Sequence, residues 1–228
     1  PSSRSPSMRS STANNPMDQQ IFLCCRSADG LDAAQLSALA KQLAWRALEQ
    51  MTAQDQPTLQ AAGVQLQKES SGRPLFCGTD AFVSITHTTG MAAAAVSALP
   101  LGIDIERSSR VSLHAAERMF SPQEKRWMQQ TDLADPFALL WTLREAYAKW
   151  TGLGLAGLCR LEARQGKVSF SPANAHQILC SDSCCLAGSL LLGEYRLSFV
   201  AQKPLHPSPS LIVRVEENGI FKKIWKTY

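Results

Sequence analysis

The 228-residue chain predicts an α+β fold in two halves, each a small antiparallel sheet packed with helices. Three observations lead there. Its elements run strand–helix–strands and then helices–strands. Apolar residues recur at helical spacing through two long stretches, 33–51 and 136–150. Between them, Leu101, Ile103 and Ile105 alternate with Gly102, Asp104 and Glu106, as in a strand with one buried face.

Composition sets the bounds. Hydrophobic residues make up 45% and charged residues 18%, a globular balance. The longest apolar run, 91–99, is far short of the ~20 residues that span a bilayer. With 23 Lys and Arg against 19 Asp and Glu, the net charge of +4 excludes a strongly basic nucleic-acid binder but permits a local anion site. The seven cysteines form no CxxC pair and no zinc-spaced cluster. An odd count without a framework points to reduced thiols in the cytoplasm. Residues 1–20, with six serines in the first eleven positions, read as a disordered or appended extension. The expected halves are 21–104 and 105–228.

In order, 21–25 is a short buried strand. Asp32, with Gln35 three residues on, caps a helix over about 33–51 carrying Leu36, Leu39, Leu43 and Leu48. Residues 52–63 read as loop. Strands are expected at 82–87, 92–98 and 101–106. A short helix is expected at 112–119. Ser121-Pro122-Gln123-Glu124 opens the next, with capping-box spacing and Pro at the first position. Asp135-Pro136 opens a third, which runs to Trp150 and closes at Gly152. Strands follow at 167–170, 183–187, 195–201 and 211–215, with a Pro-rich loop at 203–210.

Several of these residues could carry chemistry. Asp104 and Glu106, two apart on a strand, point to one face, where carboxylates could hold a hard cation such as Mg²⁺. The alternative is an ordinary polar strand edge. Glu145 and Lys149 have the spacing of a surface helix pair. Yet Glu145 continues the Phe137, Leu140, Trp141 stripe one turn on, which sets it at a half-buried margin. Glu124 fits a capping role. His87, at a strand end beside Thr86 and Thr88, is either a structural residue or a phosphate contact; Arg73 is a loop cation. No P-loop, GxGxxG or GxSxG is present.

Four blocks in order resemble the 4′-phosphopantetheinyl transferases of the surfactin-synthetase-activating type. Phe82-Val83-Ser84-Ile85-Thr86-His87-Thr88 is similar to the family's Ser-x-Ser-His-Ser block, preceded by Gly72-Arg73-Pro74 where members carry Gly-Lys-Pro. Gly102-Ile103-Asp104-Ile105-Glu106 matches Gly-(Ile/Val)-Asp-x-Glu. Phe120-Ser121-Pro122-Gln123-Glu124 matches Phe-Ser-x-x-Glu. Trp141-Thr142-Leu143-Arg144-Glu145-Ala146-Tyr147-Ala148-Lys149 resembles Trp-x-x-Lys-Glu-Ala-x-x-Lys, with Arg144 for the usual Lys. The early basic residues that hold the cofactor's 3′-phosphate in relatives have no clear counterpart, Arg46 being a better candidate than Lys41.

The resemblance implies two pseudo-twofold-related halves with the active site at their interface. It implies transfer of the 4′-phosphopantetheine arm of coenzyme A to a serine of an apo carrier protein (acyl, polyketide or peptidyl), releasing adenosine 3′,5′-bisphosphate. Asp104, Glu106 and Glu145 would be Mg²⁺ ligands. Glu145 or a metal-bound water would take the serine proton, and Lys149 would contact the pyrophosphate. Arg73, Thr86, His87 and Arg46 would bind the nucleotide phosphates. A cytoplasmic monomer without nucleic-acid or membrane partners is expected. Two alternatives stay open: a Mg²⁺-dependent phosphohydrolase, which would release free phosphopantetheine, and a non-catalytic carrier-protein binding module.

Overall fold

The computed structural model describes residues 20–108, 119–165, 168–172, 177–203, 211–217 and 220–226. The expected extension at 1–20, the helix at 112–119 and the loop at 203–210 lie outside them except for Gln20, Met119 and Lys203.

β1 (Gln20–Ala28) leads into α1 (Ala33–Thr52). The predicted capping box is present: the Gln35 amide donates to Asp32, and the Asp32 amide donates to the Gln35 side chain. The stretch expected to be loop contains α2 (Gln56–Ala61), capped by Asp55 and started by Pro57. A six-residue helix burying only Leu59 leaves no period to read. The hairpin of β2 (Gln65–Lys68) and β3 (Pro74–Cys77) follows. Then come β4 (Phe82–Thr88), β5 (Gly90–Ser97) and β6 (Leu101–Arg107), close to expectation.

The helical middle consists of α3 (Pro122–Gln130), α4 (Pro136–Thr151) and α5 (Gly154–Gln165). α5 was hidden in the sequence by Gly152, Gly154 and Gly157, which read as turn. The remaining strands are β7 (Phe170–Pro172), β8 (Gln177–Cys180), β9 (Cys185–Leu192), β10 (Tyr195–Gln202), β11 (Leu211–Glu217) and β12 (Ile220–Lys226).

Two five-stranded sheets result, ordered β12-β11-β1-β5-β4 and β6-β10-β9-β8-β7, beside the small β2-β3 pair. Among the described residues, all strand pairings are antiparallel except one: β11 runs parallel to β1, with Gln20 opposite Ile212 and Cys24 opposite Glu216. The expected α+β fold of antiparallel sheets and helices is present, with that one parallel pairing added. The chain leaves β10 in the second sheet and re-enters the first beside β1, a crossover rather than a hairpin, so the strands align head to head. The first sheet therefore takes strands from both sides of Asp104.

Strand alternation divides the interior into three layers. Phe22, Cys24, Ala92, Ala94 and Val96 face α1 together with Leu36, Leu43 and Leu48. Ile21, Leu23, Ala93 and Ala95 face the other way, against Ile103, Ile105, Leu197 and Phe199 of the second sheet. On that sheet's far side, Ala187 and Val200 meet Leu139, Leu140 and Leu143 of α4. The order is helix, sheet, sheet, helix. β5 lies between two cores, which is why its alanines are fully buried and why 92–98 lacks polar alternation.

Candidate active site

The site begins with a glycine. β6 turns Leu101, Ile103 and Ile105 toward the first sheet, so Gly102, Asp104 and Glu106 face α4. A Cβ on Gly102 would fall on the Ala146 carbonyl oxygen and 2.5 Å from the Trp150 amide nitrogen. Bare backbone at 102 lets α4 lie directly on β6. That brings Lys149, one turn past Glu145, over Asp104.

Lys149 Nζ donates to Asp104 Oδ1 at 2.7 Å. Its partner is thus the strand carboxylate rather than its helical neighbour Glu145. Thr86 Oγ1 donates to the same oxygen at 2.9 Å, and Thr88 Oγ1 to Glu106 Oε2 at 2.9 Å. Ser84 Oγ, two residues earlier, accepts from the Ile103 amide at 3.0 Å. Ser84, Thr86 and Thr88 share one side of β4 and sew the edge of the first sheet to β6 at the edge of the second. Asp104 is only 3% exposed, and its Oδ2 is buried without a hydrogen-bond partner.

The carboxylates sense one another. Burial, then the Asp104 charge, pushes Glu145 up to about 7, while Lys149 pulls it down and Glu106 adds to the rise. Burial also raises Glu106, against the Thr88 hydrogen bond and with Asp104 adding to the rise. A buried, unpartnered oxygen within an all-oxygen donor set fits a hard divalent cation. Among the described residues, however, the three carboxylates are not drawn into one ready-made cluster.

α4 is held from three directions. Arg144, fully buried, donates to Glu162 Oε1 at 2.6 Å, to Glu124 Oε2 at 2.9 Å and to the Val168 carbonyl at 2.9 Å. Thr142 Oγ1 joins Ser198 Oγ at 2.7 Å. At the helix start, Asp135 forms a two-pronged ion pair with Arg196, one contact being Nε to Oδ2 at 2.8 Å, and accepts from Ser108. Glu124 caps α3 as the spacing predicted, accepting from the Ser121 amide at 2.7 Å. It is also a buried ion-pair partner of Arg144 and accepts from the Phe170 amide. Glu162 was missed in the sequence, because the helix that carries it was.

The remaining expected residues spread out. Arg73 approaches the end of α4: its guanidinium lies 3.4 Å from where a Gly152 Cβ would be. Arg73, Pro74, Ser84, Lys149 and Gly152 line a cavity of about 240 Å³. Thr86 is buried and commits its one hydroxyl proton to Asp104, leaving only lone pairs, so it has no donor to offer a phosphate. His87, next in sequence, points to the opposite face of β4 and is exposed. Partial burial and then the Lys149 charge hold His87 below its ordinary range. Arg46 and Lys41 are exposed on α1, and neither they nor His87 line the cavity.

A family model described as the 4′-phosphopantetheinyl transferase superfamily matches residues 100–200, which include β6, α4 and β10. The 4′-phosphopantetheinyl transferase gsp of Aneurinibacillus migulanus is 35% identical over 95 residues, 40% of this chain and 40% of that protein. The 4′-phosphopantetheinyl transferase Sfp of Bacillus subtilis strain 168 is 27% identical over 167 residues, 70% of this chain and 72% of that protein. The chain thus spans about two fifths of the first relative's length and nearly three quarters of the second's. Among solved structures, the holo-[acyl-carrier-protein] synthase of Thermotoga maritima aligns with a TM-score of 0.38 at 20% identity, over 53% of this chain and 70% of that one.

Proposed function

Residues 100–200 match the model of the 4′-phosphopantetheinyl transferase superfamily, and from that premise we propose that the chain is a member which transfers the 4′-phosphopantetheine arm of coenzyme A to a carrier-protein serine. Adenosine 3′,5′-bisphosphate is the other product. The observation that carries this reading is the meeting of Asp104 and Glu106 on β6 with Lys149 and Glu145 on α4. Such transfer depends on positioning and charge neutralisation more than on covalent catalysis by the protein.

Asp104, Glu106 and Glu145 would hold Mg²⁺, which when bound supplies positive charge to the pyrophosphate. Lys149, 31% exposed at its side chain, keeps ammonium protons free to donate to a pyrophosphate oxygen while one remains on Asp104. Glu145, beside the strand carboxylates, would take the serine proton as the serine oxygen attacks phosphorus and the bond to the nucleotide phosphate breaks. Thr86 and Thr88 orient the strand carboxylates. Arg73 and Pro74 line the cavity that opens beside Lys149 and would receive part of coenzyme A. Among the described residues no helix is long and apolar enough to cross a membrane. With coenzyme A as substrate, the cytoplasm suits the reaction.

The test is incubation with coenzyme A, Mg²⁺ and a panel of apo acyl, polyketide and peptidyl carrier proteins, followed by intact mass. The expected result is a carrier heavier by one phosphopantetheine arm, with none when the carrier serine is replaced by alanine. Free phosphopantetheine with unmodified carrier would assign a hydrolase instead. Unmodified carriers across the panel, with coenzyme A intact, would overturn the reading.

A further inference from the structure

The cysteines take no part in the proposed chemistry, and two of them, Cys180 and Cys185, are set as a pair. β8 and β9 are antiparallel, with Gln177 opposite Gly188 and Ile178 opposite Ala187. Continuing that register two residues toward the turn sets Cys180, the last residue of β8, opposite Cys185, the first of β9. Both lie on the face that carries Ile178 and Ala187, beneath α4. Facing residues of an antiparallel pair have Cα atoms about 4.5–5.5 Å apart, within the ~4.4–6.8 Å that a disulfide spans.

The side chains already interact. The Cys185 hydrogen bond holds the Cys180 thiol below its ordinary range, against burial, and the same contact together with burial raises Cys185. Cys180 is thus the thiolate side of the pair and Cys185 the proton-holding side. Cys180 is partly exposed, so a small oxidant can reach it, whereas Cys185 is buried. The turn between them is ordered: the Cys185 amide donates to the Asp182 carbonyl, and the Cys184 amide to Asp182 Oδ1 at 2.9 Å. Asp182 also accepts from the Tyr147 hydroxyl at 2.8 Å, tying the turn to α4 between Glu145 and Lys149.

We propose that Cys180 and Cys185 form a site of reversible oxidation that closes, on exposure to a peroxide, to a disulfide across the β8–β9 hairpin. The Cys180 thiolate attacks a peroxide oxygen; an S–O bond forms, the O–O bond breaks, and hydroxide leaves to be protonated by solvent. The Cys185 sulfur then attacks the Cys180 sulfur. The S–O bond breaks, and the departing hydroxide takes the Cys185 proton as water. Two thiols are oxidised and one peroxide becomes two waters. The site stands independently of the transferase reading.

Trypsin cleavage after Lys167 and Arg196 gives one peptide, 168–196, holding Cys180, Cys184 and Cys185. The folded protein is treated with hydrogen peroxide, quenched, alkylated under denaturing conditions, digested and sequenced by mass spectrometry. The expected peptide carries a single alkyl group, on Cys184, and is two hydrogens lighter at the other pair; dithiothreitol before alkylation restores three groups. Cys184→Ser keeps the closure and Cys185→Ser loses it. An alkyl group remaining on Cys180 or Cys185 instead, or three groups after peroxide, overturns the assignment. The unsubstituted protein alone decides this if Cys185→Ser fails to fold.

Discussion

At the residue scale, the arrangement around Asp104 makes Glu145 an uncomfortable carboxylate. Its folded value of about 7 stands above the ordinary 4.5. Between those two values the folded state binds the proton more tightly than the unfolded one, so stability falls as pH rises through that window. In metal-free buffer, Glu145→Gln should therefore melt higher than the parent at pH 8, and the gap should close toward pH 5. A gap that does not change with pH, read from paired thermal melts, would contradict the assignment. Glu124 behaves differently. As a helix cap alone, Gln would replace it with little effect. Its carboxylate, however, faces the fully buried guanidinium of Arg144. Glu124→Gln should cost about 1.5–3 kcal/mol, since Arg144 keeps Glu162 as its charged partner but loses one buried charge-assisted hydrogen bond. Urea denaturation measures this, and a loss below about 1 kcal/mol would return Glu124 to capping alone.

At the scale of elements, the site depends on how closely α4 approaches β6. Ridges of side chains ordinarily keep a helix away from a sheet, and Gly102 removes the ridge. Gly102→Ala should force α4 outward, at a cost of several kcal/mol, on the order of an overpacked core position. Because Asp104 and Lys149 sit on the two sides of that contact, transfer activity should fall together with stability. A stable, active Gly102→Ala protein would mean that the contact is looser than its geometry implies. α4 itself was legible from Asp135-Pro136 at its start and Gly152 at its end. Its anchoring was not. The Arg196–Asp135 pair spans 61 positions and the Thr142–Ser198 contact 56, distances over which no local pattern reports. α2, α5 and β8 were missed for a different reason: short length or glycine punctuation erased their period.

At the scale of the whole molecule, two sheets share one apolar layer and meet along a polar seam between β4 and β6. The seam is where the candidate site lies, since there side chains from both sheets reach one another and α4. β11 and β12 extend the first sheet beyond β1, with β11 paired to β1 over Gln20 to Cys24. Deleting residues 204–228 should leave β1 as an unprotected edge, with lower stability and a tendency to self-associate. Size exclusion with urea denaturation checks this. A monomer of unchanged midpoint would show that the first sheet does not need its returning strands.

The sequence by itself determined the α+β class, the strand that carries Asp104 and Glu106, the helix that carries Glu145 and Lys149, and the caps of α1 and α3. Those are local properties, set by alternation, helical period and side chains that reach only three residues. The tertiary structure alone decided that Lys149 pairs with Asp104 instead of Glu145, that Thr86 and Thr88 serve the strand carboxylates, that Arg144 gathers Glu124 and Glu162, and that β11 lies parallel to β1. Each of these joins residues far apart in the chain. Such partners are chosen by which faces the packed layers bring together, and a linear pattern does not carry that information.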